Sequence, residues 1–274
     1  MIASALDTHA ATDDPTKRPY EPGDFMRIVH PDTDPRCFIV GAGTNDVIPP
    51  APQASDIVIA ADGGLDFLEQ IHLPADFVIG DFDSASHTPA HSDSTIALPS
   101  EKDDTDMTSA VKLGWSKGFR QFHIYGGLGG RLDHTLANIQ LLAGIAAHGG
   151  IGFLHSSQTC VTALCSASLQ LAPHAPAMVS VFAHSDTAHN VTIKGLKYEV
   201  RNVTLTNSTP LGVSNEFRGT QAHISVDEGT LIVTIPNTAR PDSVHLNVAD
   251  AASFGALSTH VSQLLAPKPV STTK

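Results

Sequence analysis

The sequence is poor in cysteine, aromatic side chains and positive charge, and it has no long apolar run. Its three cysteines, Cys37, Cys160 and Cys165, are too few, and odd in number, for a disulfide framework. No second Cys/His pair stands where it could close a zinc site with Cys160 and Cys165, so buried free thiols are expected. Lys and Arg total 16 against 28 Asp and Glu, a formal net charge of −12. Such a surface lacks the basic patch that nucleic-acid phosphates need, which excludes nucleic acid as a partner. It also implies that an anionic substrate arrives with a metal ion to screen it. No stretch approaches the ~20 apolar residues of a membrane span. Residues 1–14 lack the basic start and apolar middle of a signal peptide. No membrane and a reducing cytoplasm are the expectation.

What is present can bury a core: of 274 residues 41% are hydrophobic and 16% charged, which rules out wholesale disorder. Residues 1–36 are proline-punctuated and without period, a poorly ordered leader. From Cys37 short apolar runs alternate with helical spacing. Cys37–Val40, Asp56–Ala60, Phe77–Ile79 and Phe122–Tyr125 suit strands buried on both faces. Thr105–Lys117 and His134–Ala147 carry apolar residues at helical intervals. Strands alternating with helices predict an α/β domain with a parallel sheet over 37–157. Beyond 158 the helical period vanishes. Runs such as Thr159–Leu164, Met178–Phe182 and Thr230–Ile235 predict an all-β sandwich-like domain over 158–240. Asp227-Glu228-Gly229 reads as a hairpin turn before the last of these runs. Residues 241–274 read as an extension and tail, with helix potential over 248–265.

Chemistry concentrates at the ends of the apolar runs. Asp81 and Asp83 in Gly80-Asp81-Phe82-Asp83-Ser84 project to one side of a strand running out. Two carboxylates ~5 Å apart repel by roughly 3 kcal/mol at an effective dielectric near 20, a cost that a hard divalent cation removes. Solvated turn-capping is the plainer alternative. In Glu101-Lys102-Asp103-Asp104-Thr105-Asp106, Asp103 and Asp106 share one side of a first helical turn. Helix capping explains acids there equally well, while Lys102 either neutralises them or reaches a phosphate. Asp62-Gly63-Gly64 follows the second run and opens a helix over Leu65–Ile71. Gly126-Gly127-Leu128-Gly129-Gly130-Arg131-Leu132-Asp133 offers exposed amides and a guanidinium to phosphate oxygens. It is neither a dinucleotide fingerprint nor a P-loop, and Asp133 doubles as a candidate N-cap.

In order and spacing, ADGG at 61–64, GDFDS at 80–84, EKDDTD at 101–106 and GGLGGRLDHTLAN at 126–138 resemble the thiamine pyrophosphokinase family. Gly195-Leu196-Lys197-Tyr198 and Gly212-Val213-Ser214-Asn215-Glu216 resemble its thiamine-side motifs, and the likeness runs over about 37–236. The resemblance implies an N-terminal parallel-sheet, Rossmann-like ATP-binding domain followed by a β-sandwich-like thiamine domain. It implies transfer of the pyrophosphoryl unit of ATP to the thiamine hydroxyl, with Mg2+, in a homodimer whose sites lie between subunits. By motif position, Asp81, Asp83 and Asp106 would face the metal. Asp62, Gly63, Gly64, Lys102, Thr105, Gly127, Gly129 and Gly130 would line the ATP site. Asp103, Arg131 and Asp133 would serve the transfer, with either acid open as the base, and Tyr198, Ser214 and Asn215 would meet thiamine. Rival readings are a DxD phosphatase, a DxD glycosyltransferase and a non-catalytic thiamine or nucleotide sensor; the full set of acids favours the enzyme.

Overall fold

Cys37–Val40 (β2) is buried along its whole length, and its side chains alternate between two cores. Cys37 and Ile39 pack with the apolar faces of two helices, α2 (Asp106–Ser116) and α3 (Leu132–Ala147). Phe38 and Val40 pack with Leu65 and Leu68 of α1 (Gly64–Gln70) on the opposite face. Full burial of each such side chain contributes about 1.5–3 kcal/mol, so the two faces fix where β2 lies. The computed structural model describes residues 26–82, 93–247 and 253–261. Among the described residues the helices are the three just named, and none is long and apolar enough to cross a membrane.

Parallel neighbours flank β2: β3 (Ile57–Ala61) on one side, β6 (Gln121–Tyr125) on the other. Beyond β3 come β4 (Phe77–Gly80) and β5 (Thr95–Ala97), and beyond β6 comes β7 (Ile151–His155), all parallel. The sheet does not stop there. The chain turns back after β7 into β8 (Thr159–Cys165), which pairs antiparallel with it, His155 opposite Cys160. The remaining strands are β15 (Thr230–Pro236), β10 (Met178–Ala183) and β13 (Gly212–Glu216), giving one ten-stranded mixed sheet in the order β13-β10-β15-β8-β7-β6-β2-β3-β4-β5.

A second, six-stranded sheet is antiparallel, in the order β1-β16-β9-β14-β11-β12. These strands are β1 (Met26–Val29), β9 (Ala167–Leu171), β11 (Thr187–Lys194), β12 (Val200–Thr206), β14 (Ala222–Ser225) and β16 (Pro241–Asn247). The two sheets close a core in which Leu169, Ile193, Ile224 and Val244 meet Val179, Val181, Leu231 and Val233.

The expected fold class, an N-terminal parallel-sheet Rossmann-like domain plus a C-terminal all-β sandwich-like domain, is therefore overturned. The protein is mostly β, and the parallel strands are one part of a mixed sheet that continues into the antiparallel half. The reason lies in β8 and β15, which are covered on both faces. Val161, Ala163 and Ile232 turn to α3, while Cys160, Leu164, Leu231 and Val233 turn to the second sheet. Such strands belong at the centre of a sheet and not at a domain edge. Two local expectations also change. Asp227–Gly229 is a crossover, because β14 and β15 lie in different sheets. Residues 253–261 form no helix, and 248–252 lie outside the described residues. β1, within the stretch read as a leader, pairs with β16, Arg27 opposite Leu246.

Candidate active site

From β2 the chain runs through β3 and β4 to β5, then returns to β6 on the other side of β2. Connections that leave in opposite directions open a crevice at the carboxyl ends of parallel strands. A cleft of about 870 Å3 lies there. Its wall is made by 41–44 after β2, 61–63 after β3, Asp81 after β4 and the glycine-rich loop after β6. Residues leading into α2, with His134 and Asn138 of α3, complete it.

Two glycine loops form the floor by backbone contact. The Gly41 and Gly43 amides donate to the carbonyls of Tyr125 (2.9 Å) and Gly126 (3.0 Å). A Cβ on Gly43 would strike the Gly126 carbonyl oxygen, and one on Gly126, at φ +66°, would strike that of Gly41. Asn45 Nδ2 donates to Gly41 O (2.9 Å), and Asn138 Nδ2, buried, donates to Gly127 O (2.9 Å). The loops are thus held before any ligand arrives. Thr105 caps α2, its hydroxyl accepting from the Thr108 amide at 3.1 Å, a contribution of typically ~1 kcal/mol.

Charge then converges on the floor. Lys102 Nζ, almost fully buried, lies 3.1 Å from Asp106 Oδ1 and 3.5 Å from Asp81 Oδ2 and donates to Pro99 O at 3.1 Å. Burial pushes the Asp106 carboxyl above its usual range; Lys102 opposes this, and the Asp81 and Asp62 charges add to it. Asp62 is buried in a left-handed conformation, φ 51°, and its Oδ1 has no hydrogen-bond partner. A carboxylate oxygen left unpaired out of water costs several kcal/mol, which a cation at the cleft removes. Among the described residues no three His, Cys, Asp or Glu side chains form a ready metal cage. Mg2+ ordinarily takes one or two carboxylates plus waters and substrate phosphates, so this donor set of hard oxygens fits it. Arg131 lines the rim and is bidentate to Asp133, Nη2 to Oδ2 at 2.6 Å and Nε to Oδ1 at 3.2 Å. The ion pair raises the Arg131 pKa and lowers that of Asp133.

Tyr198, Ser214 and Asn215 gather elsewhere. Asn215 is buried; its Oδ1 accepts from the Tyr198 amide (2.9 Å) and its Nδ2 donates to the Tyr198 carbonyl (2.7 Å). The Tyr198 ring is thereby presented outward, 60% exposed. Ser214, at φ 60°, donates its amide to Ser180 Oγ at 3.1 Å. These residues lie on and beside β13, the edge strand six positions from β2 in the sheet order. At ~4.8 Å per strand that is roughly 29 Å.

The structure thus brings Asp62, Gly63, Asp81, Lys102, Thr105, Asp106, Gly127, Gly129, Gly130 and Arg131 to one cleft. Gly64 serves packing instead, since a Cβ there would collide with the Val40 carbonyl. Asp103 is exposed and outside the cleft lining, and Asp133 sits at the rim as the partner of Arg131, with Arg131 in the N-cap position. Asp83 lies outside the described residues. Sequence reading missed Gly41-Ala42-Gly43-Thr44, Asp66, His134 and Asn138. The signal for the first was available: it is a Gly-x-Gly at the end of the first buried strand.

A mixed sheet with a glycine-floored, carboxylate-rich crevice defines a class of protein suited to a phosphate ester and its cation. Two family models match: "Thiamin pyrophosphokinase, catalytic domain" over 51–151 and "Thiamin pyrophosphokinase, vitamin B1 binding domain" over 169–231. The chain belongs to the thiamin pyrophosphokinase family. It is 28% identical over 214 residues to the thiamine pyrophosphokinase of Bacillus subtilis (strain 168), covering 71% of this chain and 95% of that one. The crystal structure of thiamine pyrophosphokinase from Bacillus subtilis is similar at TM-score 0.66 and 25% identity, over 73% of this chain and 98% of that one. A thiamin pyrophosphokinase family protein from Enterococcus faecalis is similar at 0.61 and 27%, over 73% and 97%.

Proposed function

We propose that this protein transfers the pyrophosphoryl group of ATP to the hydroxyl of thiamine, giving thiamine diphosphate and AMP. The observation that carries the reading is the meeting of two glycine loops, Lys102, Arg131 and the acids Asp62, Asp81 and Asp106 in one cleft of a chain of this family. The loop amides and Arg131 hold phosphate oxygens, and Arg131 meets the charge that grows on them as the β-phosphorus is attacked. Asp81, Asp106 and the unpaired Asp62 oxygen would hold Mg2+, which would supply neutralisation of the phosphate charge; Asp83 is proposed to join them. As Arg131 turns to phosphate, Asp133 loses the partner that depresses its pKa and becomes the better base for the hydroxyl proton. Asp103, outside the cleft lining, is the weaker candidate. Tyr198 offers a π face to the thiazolium cation, beside Ser214 and Asn215. The free thiols of Cys37, Cys160 and Cys165 suit a cytoplasmic enzyme.

One chain carries the two halves roughly 29 Å apart across its sheet, taking ~4.8 Å per strand. We therefore propose a homodimer in which the β13 edge of one subunit faces the cleft of the other. Met178, Leu211, Val213 and Tyr198 leave that edge apolar and exposed, and β13 has a free side for a partner. The division proposed from the sequence, 37–157 for ATP and 158–240 for thiamine, then describes labour within one sheet. Incubation with ATP, Mg2+ and thiamine should yield AMP and thiamine diphosphate; ADP and thiamine monophosphate would refute the reaction. At a thiamine concentration too low for Asn215→Ala to turn over, mixing it with Asp81→Asn should restore activity through hybrid dimers, and no recovery would show that each chain completes its own site. The phosphatase and sensor readings have no support from the family match.

A further inference from the structure

Residues 253–261 lie beyond both family models, yet they cross the outside of α2 and α3 and end on the acidic loop. The Phe254 ring sits over Gly144 and between Trp115 and His148, with centroids 5.1 Å from the first and 4.9 Å, edge-on, from the second. Leu257 packs against the core that α2 and α3 share with the sheet. From this anchor the chain reaches Ser258, whose backbone amide donates to Asp104 Oδ2 at 3.2 Å. The same oxygen receives Lys112 Nζ, from α2, at 2.6 Å. Both side chains of that ion pair are largely buried. Asp104 is therefore gripped from two directions, one of them this segment.

Asp104 stands in the middle of the loop whose other members do different work. Lys102 lies two residues before it and Asp106 two residues after, and both face the floor of the cleft against Asp81. Thr105, its neighbour, caps α2. Asp104 itself lines the cleft, and its ties to Lys112 and Ser258 fix the middle of the loop that carries Lys102 and Asp106. We propose that 253–258 is a clasp that positions the Lys102–Asp106 loop for nucleotide and cation, with Phe254 as its anchor and Ser258 N–H as its catch. The proposal rests on the reading of the cleft as the ATP site.

The test uses the full chain with Phe254→Ala, Ser258→Pro, which deletes the amide donor, and Ser258→Ala, which keeps it. Hydrogen exchange of amides 101–108, measured without substrates, should quicken in Phe254→Ala and Ser258→Pro while β2, β3 and β6 stay protected. Their KM for ATP should rise about 2- to 12-fold, because only part of the lost hold on the Asp104 carboxylate reaches the nucleotide through the loop, with KM for thiamine unchanged. Ser258→Ala should behave as the parent. Unchanged exchange at 101–108 in both disruptive variants overturns the clasp, and so does an equal rise in both KM values. Ser258→Ala matching Ser258→Pro would also overturn it. If the parent made no thiamine diphosphate, the function would fall while the exchange experiment still judged the clasp.

Discussion

The cleft and the β13 edge are built on opposite principles within one sheet. The cleft draws short loops from four strand ends and fills them with charge: Lys102 between Asp81 and Asp106, Asp62 unpaired, Arg131 clamped to Asp133. The edge carries the Lys197–Glu216 pair at 3.0 Å, with Glu199 and Arg218 close by, and beside these charges it presents a ring, a hydroxyl and apolar side chains. Both contain a non-glycine residue in the left-handed region, Asp62 at φ 51° and Ser214 at φ 60°. On the proposed reading, the difference means that the first region handles phosphate charge and the second recognises thiamine. Substitutions should then separate into those that abolish turnover and those that only weaken one substrate.

The largest effect is expected in the cleft. Asp81→Asn or Asp106→Asn should lower kcat by at least about 100-fold, the scale of losing one preorganised electrostatic contact at a reacting centre. Circular dichroism should show the fold intact. Near-parental turnover at saturating Mg2+ would break the comparison at its root. Next, Arg131→Ala should lower kcat roughly 10- to 150-fold, as for a lost hydrogen bond to a charged group, with KM for thiamine unmoved. Steady-state kinetics with both substrates varied separates these outcomes.

A buried polar seam lies in the sheet between the two regions, and it sharpens the comparison. Gln121 Nε2 donates to Pro31 O (2.8 Å) and to His123 Nε2 (2.9 Å). That leaves His123 Nδ1–H to donate to His155 Nε2 (3.0 Å), and His155 Nδ1–H to donate to Asn237 Oδ1 (2.8 Å). Each ring uses one proton, so both are neutral. Burial lowers both pKa values; for His123 the neighbouring His155 and Arg36 push the same way. A histidine held neutral in the folded state leaves the unfolded chain with the higher proton affinity. The stability it contributes is complete above the unfolded value of about 6.5 and is lost as pH falls below it. Each should cost about 1.4 kcal/mol per pH unit in that window. Melting temperature should fall between pH 6.5 and 5, and His123→Phe should flatten the slope. An equally steep slope in the variant would remove the seam from the account.

How much of this was legible in sequence depended on whether a signal was local. Cys37–Val40 and Phe122–Tyr125 announce buried strands, and α2 and α3 begin within a few residues of where their spacing places them. The cleft acids were legible because Asp62 and Asp81 follow strands directly and Asp106 opens α2. Gly41–Thr44 was equally local and was passed over because no charge marks it. The ten-stranded sheet was not legible. Nothing in Thr159–Cys165 says that one face meets α3 and the other a second sheet. A short run buried on both faces looks the same in either architecture. Nor does Ser258 advertise Asp104, 154 positions away.

The smallest effect belongs to the β13 edge, and it comes with two signs. Ser214 holds φ 60°, a region that carries a steric cost for any residue with a Cβ. Ser214 is exposed, and its amide is spent on Ser180 Oγ. On the proposed reading this strain is kept because the Ser214 side chain meets thiamine. Ser214→Gly keeps the backbone and its amide bond, removes the strain and deletes the hydroxyl. Relief of about 1–2 kcal/mol of left-handed strain outweighs the roughly 0.5–1 kcal/mol that glycine's extra backbone freedom costs, so the variant should be stabilised by about 0.5–1 kcal/mol. It should also raise KM for thiamine about 2- to 12-fold, the value of one neutral hydrogen bond. KM for ATP and kcat should hold. Thermal melts and two-substrate kinetics on the same sample read both signs. Stabilisation without loss of thiamine affinity would reduce Ser214 to a turn residue, and a shift in KM for ATP instead would move this edge to the nucleotide.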